Sequence, residues 1–263
     1  MAQSNEETVV LLNADLYGEH DAILYYVTHA WTVVRQHGQQ ILEIANDEMR
    51  HFKWLGHAIS QLGGIPDLTP PSIGPVSTAQ SALQTDVDAE IHAIHQYQEH
   101  TELIEDARIK QLLQRIIVDE RDHLRQFQEL LDSTHGEPGF SRPPEDDMAP
   151  LAQKLQQTMQ AEYQQMIAYL LRSFTEDHTR QLGLDMEERS IDEMRHMGWI
   201  GRRLGAIGVQ ADLSAHEIQT LAAGEQDEWA RYQDMRIWAK EHLPALLPTI
   251  DRFLAHETYH LQS

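Results

Sequence analysis

The pattern Glu-x-x-His occurs four times in this chain, as Glu48–His51, Glu120–His123, Glu193–His196 and Glu257–His260, each time within a stretch of helical apolar spacing. Residues three apart on a helix share a face. Four times, then, a carboxylate and an imidazole point the same way, and the apolar residues around them make that face the inner one. A Glu buried on such a face is costly unless it is paired or bound to a metal. The helices must therefore pack so that these groups meet.

Apolar period places a first helix at roughly Glu7 to Arg35, with Leu12, Leu16, Ile23, Tyr26, Ala30 and Val33 on one stripe and Glu19 among them. A second, from about Gln39 to Leu62, carries Ile41, Ile44, Leu55 and Ile59 beside Glu48 and His51, and ends at Gly63-Gly64. Four prolines, Pro66, Pro70, Pro71 and Pro75, then impose a long irregular connection. A third helix from about Gln80 lines up Leu83, Val87, Ile94 and Tyr97 with Glu90. The fourth, about Arg108 to Leu131, lines up Leu113, Ile116, Leu124 and Phe127 with Glu120 and His123. These four helices make a bundle with one long crossover between the second and third.

After a segment rich in Pro, Gly and charge, the plan repeats. Glu162 lies among Leu155, Met159, Met166 and Tyr169; Glu193 and His196 among Met186, Ile200 and Leu204; Glu225 among Ile218, Leu221 and Tyr232; Glu257 and His260 among Leu247, Ile250 and Leu254. The fold expected is all-α, two tandem four-helix bundles at residues 1–135 and 151–263 joined by a linker at 136–150. Successive glutamates are 29, 42 and 30 residues apart in the first half (Glu19, Glu48, Glu90, Glu120) and 31, 32 and 32 in the second (Glu162, Glu193, Glu225, Glu257). Only the interval containing the crossover differs greatly, and loops absorb such changes. The short second crossover must still span the bundle. At about 1.5 Å per helical and about 3.3 Å per extended residue it needs roughly nine non-helical residues. The sixth helix is therefore expected to stop near Gly205, with an almost extended connection after it.

Each bundle thus offers four carboxylates and two imidazoles, a hard oxygen and nitrogen set without sulfur that suits iron or manganese and admits zinc. Two such ions held close together can act jointly on a small oxidant. In the second half Glu228 also lies near the inner stripe, which leaves Glu225 and Glu228 as alternatives, and His260 lies three residues from Ser263, where helices fray. Tyr26, Tyr97, Tyr169 and Tyr232 each follow a solo Glu by seven residues. They read either as core tyrosines with satisfied hydroxyls or as groups hydrogen-bonded to the ligands, with Tyr26 and Tyr169 singled out for a catalytic role.

The chain carries 20 Lys+Arg against 42 Asp+Glu, a net charge of -22, which argues against nucleic acid and anionic membrane surfaces and favours cations as partners. It has no cysteine, which excludes thiolate metal sites and disulfides. No secretory signal or membrane-length apolar run is read at the sequence level, so a cytoplasmic location is expected.

Glu19 with Tyr26, and the run DEMRHFKWLGHAISQLGGIPDL from Asp47 to Leu68, resemble the ferritin-like superfamily and within it the bacterioferritins. The resemblance covers the first bundle well and the second at the level of the motif. It implies two carboxylate-bridged di-iron centres, with ligands Glu19, Glu48, His51, Glu90, Glu120 and His123, then Glu162, Glu193, His196, Glu225, Glu257 and His260. Glu48, Glu120, Glu193 and Glu257 would be the bridges. It also implies oxidation of Fe(II) by O₂ or H₂O₂, as a ferroxidase or a peroxide-detoxifying enzyme; the alternative is a non-catalytic iron buffer or haem-bridged carrier.

Bacterioferritins have a short fifth helix that this chain does not show, so a homo-oligomer is compatible with the sequence but a 24-subunit mineral cage is not expected. Rubrerythrins, which are also similar, carry a cysteine-ligated iron that this chain cannot form. Met49 and Met194 occupy the place of a haem-ligating methionine; packing accounts for them, and haem is not expected.

Overall fold

The structure, a computed structural model, describes residues 5–32, 34, 37–74, 78–134, 148–175, 181–213 and 221–262, leaving aside the side chains of 181, 182, 221–223 and 225. The chain divides into two compact units, Met1–Ser141 and Arg142–Ser263. Helices α1 (Asn5–Thr32), α2 (Gly38–Gln61), α3 (Ala79–Leu103) and α4 (Ala107–Ser133) form the first; α5 (Ala149–Thr175), α6 (Gln181–Ala206), α7 (Leu221–His242) and α8 (Leu247–Gln262) form the second. Among the described residues there is no strand. The fold is all-α, two four-helix arrangements in tandem. The expected linker falls largely on residues outside the description, as do Val33, Ile218 and the side chain of Leu221.

In the first unit α1 packs on α2 and α3, and α4 packs on α3 and α2; in the second α5 packs on α6 and α7, and α8 on α7 and α6. The inner stripes are buried as the period requires: Leu12, Leu16, Ile41, Leu55, Leu83, Leu113, Ile116 and Phe127 in one core, Leu155, Met159, Tyr169, Ile200, Leu204, Tyr232 and Ile250 in the other. Ile94, Leu124 and Leu247 are only half-buried, which places them at the edge of their stripes.

Local chemistry fixes the helix ends. Gly38 opens α2 where a Cβ would lie 2.6 Å from the Ala30 carbonyl oxygen, so only glycine permits so close a return from α1. The Thr78 hydroxyl accepts from the Ser81 backbone N–H while the Ser81 hydroxyl accepts from that of Thr78, a reciprocal cap on α3. Asp106 caps α4 through the N–H groups of Arg108 and Ile109.

The two crossovers start in the same way. Gly63 and Gly208, each fifteen residues beyond the first ExxH glutamate of its half, have φ of 84° and 82°. The following N–H reaches back to the helix in both, Gly64 to the Ile59 carbonyl at 3.0 Å and Val209 to that of Leu204 at 2.9 Å. Each crossover is then held by one amide side chain located six residues before a solo glutamate. Asn13 donates to the Ile65 carbonyl at 3.3 Å and accepts from Asp67 N–H at 2.8 Å. Gln156 donates to the Gln210 carbonyl at 2.7 Å and accepts from Asp212 N–H at 3.0 Å. As expected from the length of the connection, α6 stops at Ala206, one residue past Gly205, and residues 209–213 are non-helical; 214–220 are outside the description.

Candidate metal centres

Each inner stripe delivers its polar residues to mid-bundle, and in the first unit all six expected ligands converge. Glu19 comes from α1, Glu48 and His51 from α2, Glu90 from α3, Glu120 and His123 from α4, and none is more than 4% exposed. They form two overlapping groups of possible metal ligands: Glu19, Glu48, His51 and Glu120, and Glu48, Glu90, Glu120 and His123. Glu48 and Glu120 belong to both. Each of these carboxylates faces both imidazoles, Glu48 with Oε2 at 3.0 Å from His51 Nδ1 and Oε1 at 2.9 Å from His123 Nδ1, Glu120 with Oε1 at 2.9 Å and Oε2 at 3.9 Å from the same two atoms.

Many of these atoms lack conventional partners. Glu19 Oε2, Glu48 Oε1, Glu90 Oε2, Glu120 Oε1 and His123 Nδ1 are buried with no hydrogen-bond partner among the described residues. His123 Nδ1 and Glu48 Oε1 lie 2.9 Å apart without forming a hydrogen bond. Buried polar groups are normally satisfied, and a pair of cations between the helices would satisfy these. The donor set fits them.

Two outer layers hold the ligands. The Tyr26 hydroxyl donates to Glu90 Oε1 at 2.6 Å, and the Tyr97 hydroxyl donates to Glu19. Each tyrosine therefore serves the glutamate of the opposite helix. One turn further out, Asp15 meets His100 Nδ1 at 2.7 Å and accepts from Gln96, while Asp86 meets His29 Nδ1 at 2.7 Å. The outward nitrogens of the ligand imidazoles also face carboxylates: His51 Nε2 lies 3.3 Å from Asp119 and His123 Nε2 3.5 Å from Asp47. Each of these aspartates directly precedes the ExxH glutamate of the other helix.

Electrostatics follow from this burial. Glu19 and Glu90 are held well above the usual carboxylate range, by burial first and then by the charges of Glu48 and Glu120. Burial also pushes Glu48 up, but His123 and His51 together outweigh it and hold that carboxyl low. Burial works against protonation of His123, yet Glu48 and Glu120 raise it to about 10. His51 is raised by the same kind of competition, with Glu19 as the largest charge.

A cavity of about 180 Å³ opens between α1 and α3 and reaches Glu19, Glu48 and Glu120. Small residues on both walls, Ala14, Gly18 and Ala22 facing Ala89 and Ala93, make room for it, and Asp15 and Asp21 give it a negative lining. It has space for ions and diatomic molecules.

In the second unit Glu162, Glu193, His196 and Glu257 form one group of possible ligands, all wholly buried. Glu193 and Glu257 again face both imidazoles: His196 Nδ1 lies 3.3 Å from one oxygen of each, and His260 Nδ1 lies 3.4 and 3.6 Å from the other. Glu162 lies 3.0 Å from His196 Nδ1 and accepts from the Tyr232 hydroxyl. Glu193 is held well above its usual range by burial and then by Glu228, Glu162 and Glu257. That places Glu228, which is 0% exposed, beside the cluster; the side chain of Glu225 lies outside the described residues. Tyr169 is buried, with its ring edge-on to His260 at 6.0 Å between centroids. The last helix runs on to Gln262, and Arg189 of α6 donates to the His260 carbonyl at 3.2 Å, tying down the turn where fraying was expected.

The outer layers of this centre are thinner. In place of Asp15 and His100 stand Thr158 and Met235; in place of His29 and Asp86 stand Arg172 and Leu221. His260 Nε2 lies 3.9 Å from Asp192, but His196 Nε2 contacts His256 Nδ1 at 3.1 Å, because His256 occupies the position that Asp119 has in the first half.

Sequence reasoning singled out the Glu and His residues of these clusters but missed Asp15, His29, Asp86, His100 and the aspartates behind the imidazoles. A signal for the first four was present. The spacing Asp-x3-Glu-x6-Tyr-x2-His occurs in α1, from Asp15 to His29, and again in α3, from Asp86 to His100.

Residues 9–135 match the family described as "Ferritin-like domain". Among solved structures, one described as ferritin like, diiron-carboxylate proteins from Bacillus anthracis str. Ames is 28% identical over 50% of this chain and 99% of its own, with a TM-score of 0.46. No curated protein matches the chain.

Proposed function

We propose, from the match of residues 9–135 to the ferritin-like domain family, that the chain is an oxidoreductase of the ferritin-like superfamily holding a pair of iron ions in each bundle and oxidising Fe(II) with O₂ or H₂O₂. The observation that carries this reading is the convergence of buried Glu and His side chains in which two glutamates, Glu48 and Glu120, face both imidazoles at once. Oxygen and nitrogen donors without sulfur suit iron, with manganese as the alternative metal.

Bound there, paired iron ions would supply the electrons: one from each of two Fe(II) per H₂O₂, which takes up two protons and leaves as two waters. The chain's own residues prepare the site. The four imidazoles turn Nδ1 inward; Asp119 is hydrogen-bonded to the outward nitrogen of His51, and Asp47 and Asp192 lie 3.5 and 3.9 Å from those of His123 and His260. Tyr26 and Tyr97 hold the Glu90 and Glu19 carboxyls by donating to them. The cavity of about 180 Å³ between α1 and α3 has room for ions and small oxidants.

The test is anaerobic loading with Fe(II), a count of iron per chain, and then addition of excess Fe(II) with O₂ or H₂O₂. About four irons per chain and many Fe(II) oxidised per chain support the reading, and the faster oxidant names the reaction. A single round of oxidation that stops when the bound iron is spent makes the protein an iron buffer or carrier. Retention of manganese or zinc in place of iron, or no metal uptake, overturns the proposal.

A further inference from the structure

Of the four imidazoles that face the two clusters, three back onto carboxylates. Asp119 lies 3.3 Å from His51 Nε2, Asp47 3.5 Å from His123 Nε2 and Asp192 3.9 Å from His260 Nε2, whereas His196 Nε2 meets His256 Nδ1 at 3.1 Å. His256 sits directly before Glu257, as Asp47, Asp119 and Asp192 sit directly before Glu48, Glu120 and Glu193. The exchange is confined to one register position of α8.

We infer that His256 is a positioning residue that makes the two centres unequal: by backing His196 with a neutral imidazole where a carboxylate stands behind each of the others, it leaves one of the four metal positions weaker and more readily emptied. The inference rests on the reading that both bundles hold metal pairs.

The chemistry runs through the tautomer. When His196 Nδ1 offers its lone pair to a cation, its single proton must sit on Nε2, so His256 Nδ1 has to accept and keep its own proton on Nε2. Hydrogen bonds to charged acceptors are about twice as strong as neutral ones, and a carboxylate behind a ligand imidazole raises its basicity toward the metal. Replacing it by an imidazole also removes one negative charge from the site's surroundings. The Nδ1 of His196 still faces Glu162, Glu193 and Glu257. The position is therefore preserved as a binding site, but its donor is poorer.

Loss of such an outer partner costs about 10–100-fold in metal affinity. The experiment titrates the full chain with Co(II) at about pH 8, against a competing chromophoric chelator. Three tight binding steps and one weaker by about 10–100-fold are expected. His256→Asp should convert the weak step into a tight one. His256→Asn, which keeps a neutral acceptor in similar space, should leave it weak. In the first bundle Asp119→His should create a second weak step. Four equal steps in the natural chain, or a weak step that survives His256→Asp, overturn the inference while leaving the two-centre reading intact. Only two ions bound, in the natural chain and in His256→Asp alike, overturn the two-centre reading itself and the inference with it.

Discussion

Tyr26 on α1 donates its hydroxyl proton to Glu90 on α3 across 2.6 Å, and it does so from seven residues beyond Glu19, the glutamate of its own helix. The carboxyl it holds is buried and crowded by Glu48 and Glu120. Burial and the Glu90 charge hold the phenol well above its ordinary range, so it stays a donor. Tyr26→Phe is therefore expected to weaken metal binding in the first centre by about 10–100-fold, with the helical circular dichroism unchanged. Competition titration with a chelator measures it.

The sharing of Glu48 and Glu120 between both ligand groups predicts unequal losses on substitution. Glu120→Gln should reduce the metal bound per chain by about two ions, since one side chain serves two positions, whereas Glu19→Gln should reduce it by about one. Elemental analysis after anaerobic loading and desalting distinguishes the two.

Protons compete with metal at this site. In the metal-free protein His123 is raised to about 10 and His51 is raised as well, while burial keeps Glu19 and Glu90 protonated above their usual range. Metal loading must displace these protons, so apparent affinity should rise with pH through the neutral range and flatten near 10, with acid released into unbuffered solution. The stability of the chelated protein has a matching sign. A histidine raised from 6.5 to about 10 stabilises the fold fully below 6.5, and that contribution is lost as pH rises through 10. The melting temperature of the chelated protein should therefore fall over that window, and metal should abolish most of the fall.

The second bundle has carried out a natural double substitution that can be copied. Asp15 and His100 are buried and hydrogen-bonded to each other, and Thr158 and Met235 take their places in α5 and α7. His100→Met alone strands a buried carboxyl and should cost about 2–4 kcal/mol. Asp15→Thr together with His100→Met should cost less than that single change, because no stranded charge remains. Urea unfolding of the two variants and the natural chain closes the comparison.

Crowded carboxylates have a stability cost of their own. Glu193 is buried among Glu228, Glu162 and Glu257, all of which raise it. Glu193→Gln should raise the melting temperature of the chelated protein while removing metal from the second bundle, the exchange expected where function stores unfavourable charge.

Much of this was legible in the sequence because a period of 3.6 reports which face of a helix is buried. Leu12, Leu16, Ile41, Leu55, Leu113 and Phe127 all lie in the core as that period requires, and the ExxH pairs lie with them. Periodicity does not report reach. A tyrosine seven residues after a glutamate shares its face, but its ring is long enough to cross to the neighbouring helix, so Tyr97 serves Glu19 and not Glu90. Nor does it rank neighbours on one face: Glu225 and Glu228 are three residues apart in α7, and Glu228 acts on Glu193 through its charge while the side chain of Glu225 lies outside the described residues. Asp119 and Asp47 were hidden because each supports a histidine on a different helix, through a contact between residues 68 and 76 positions apart in the chain.

Both crossovers leave the bundle at a glycine set fifteen residues past an ExxH glutamate and are fastened by an amide set six residues before a solo one. The fastening points are thus referenced to the clustered glutamates and not to the length of chain between them, and the crossovers within the 42- and 32-residue glutamate intervals start with one geometry. This makes the stretch beyond Leu68 the natural splice point of the molecule. A reporter peptide or an added module could be grafted there, or the segment shortened, without retuning either cluster.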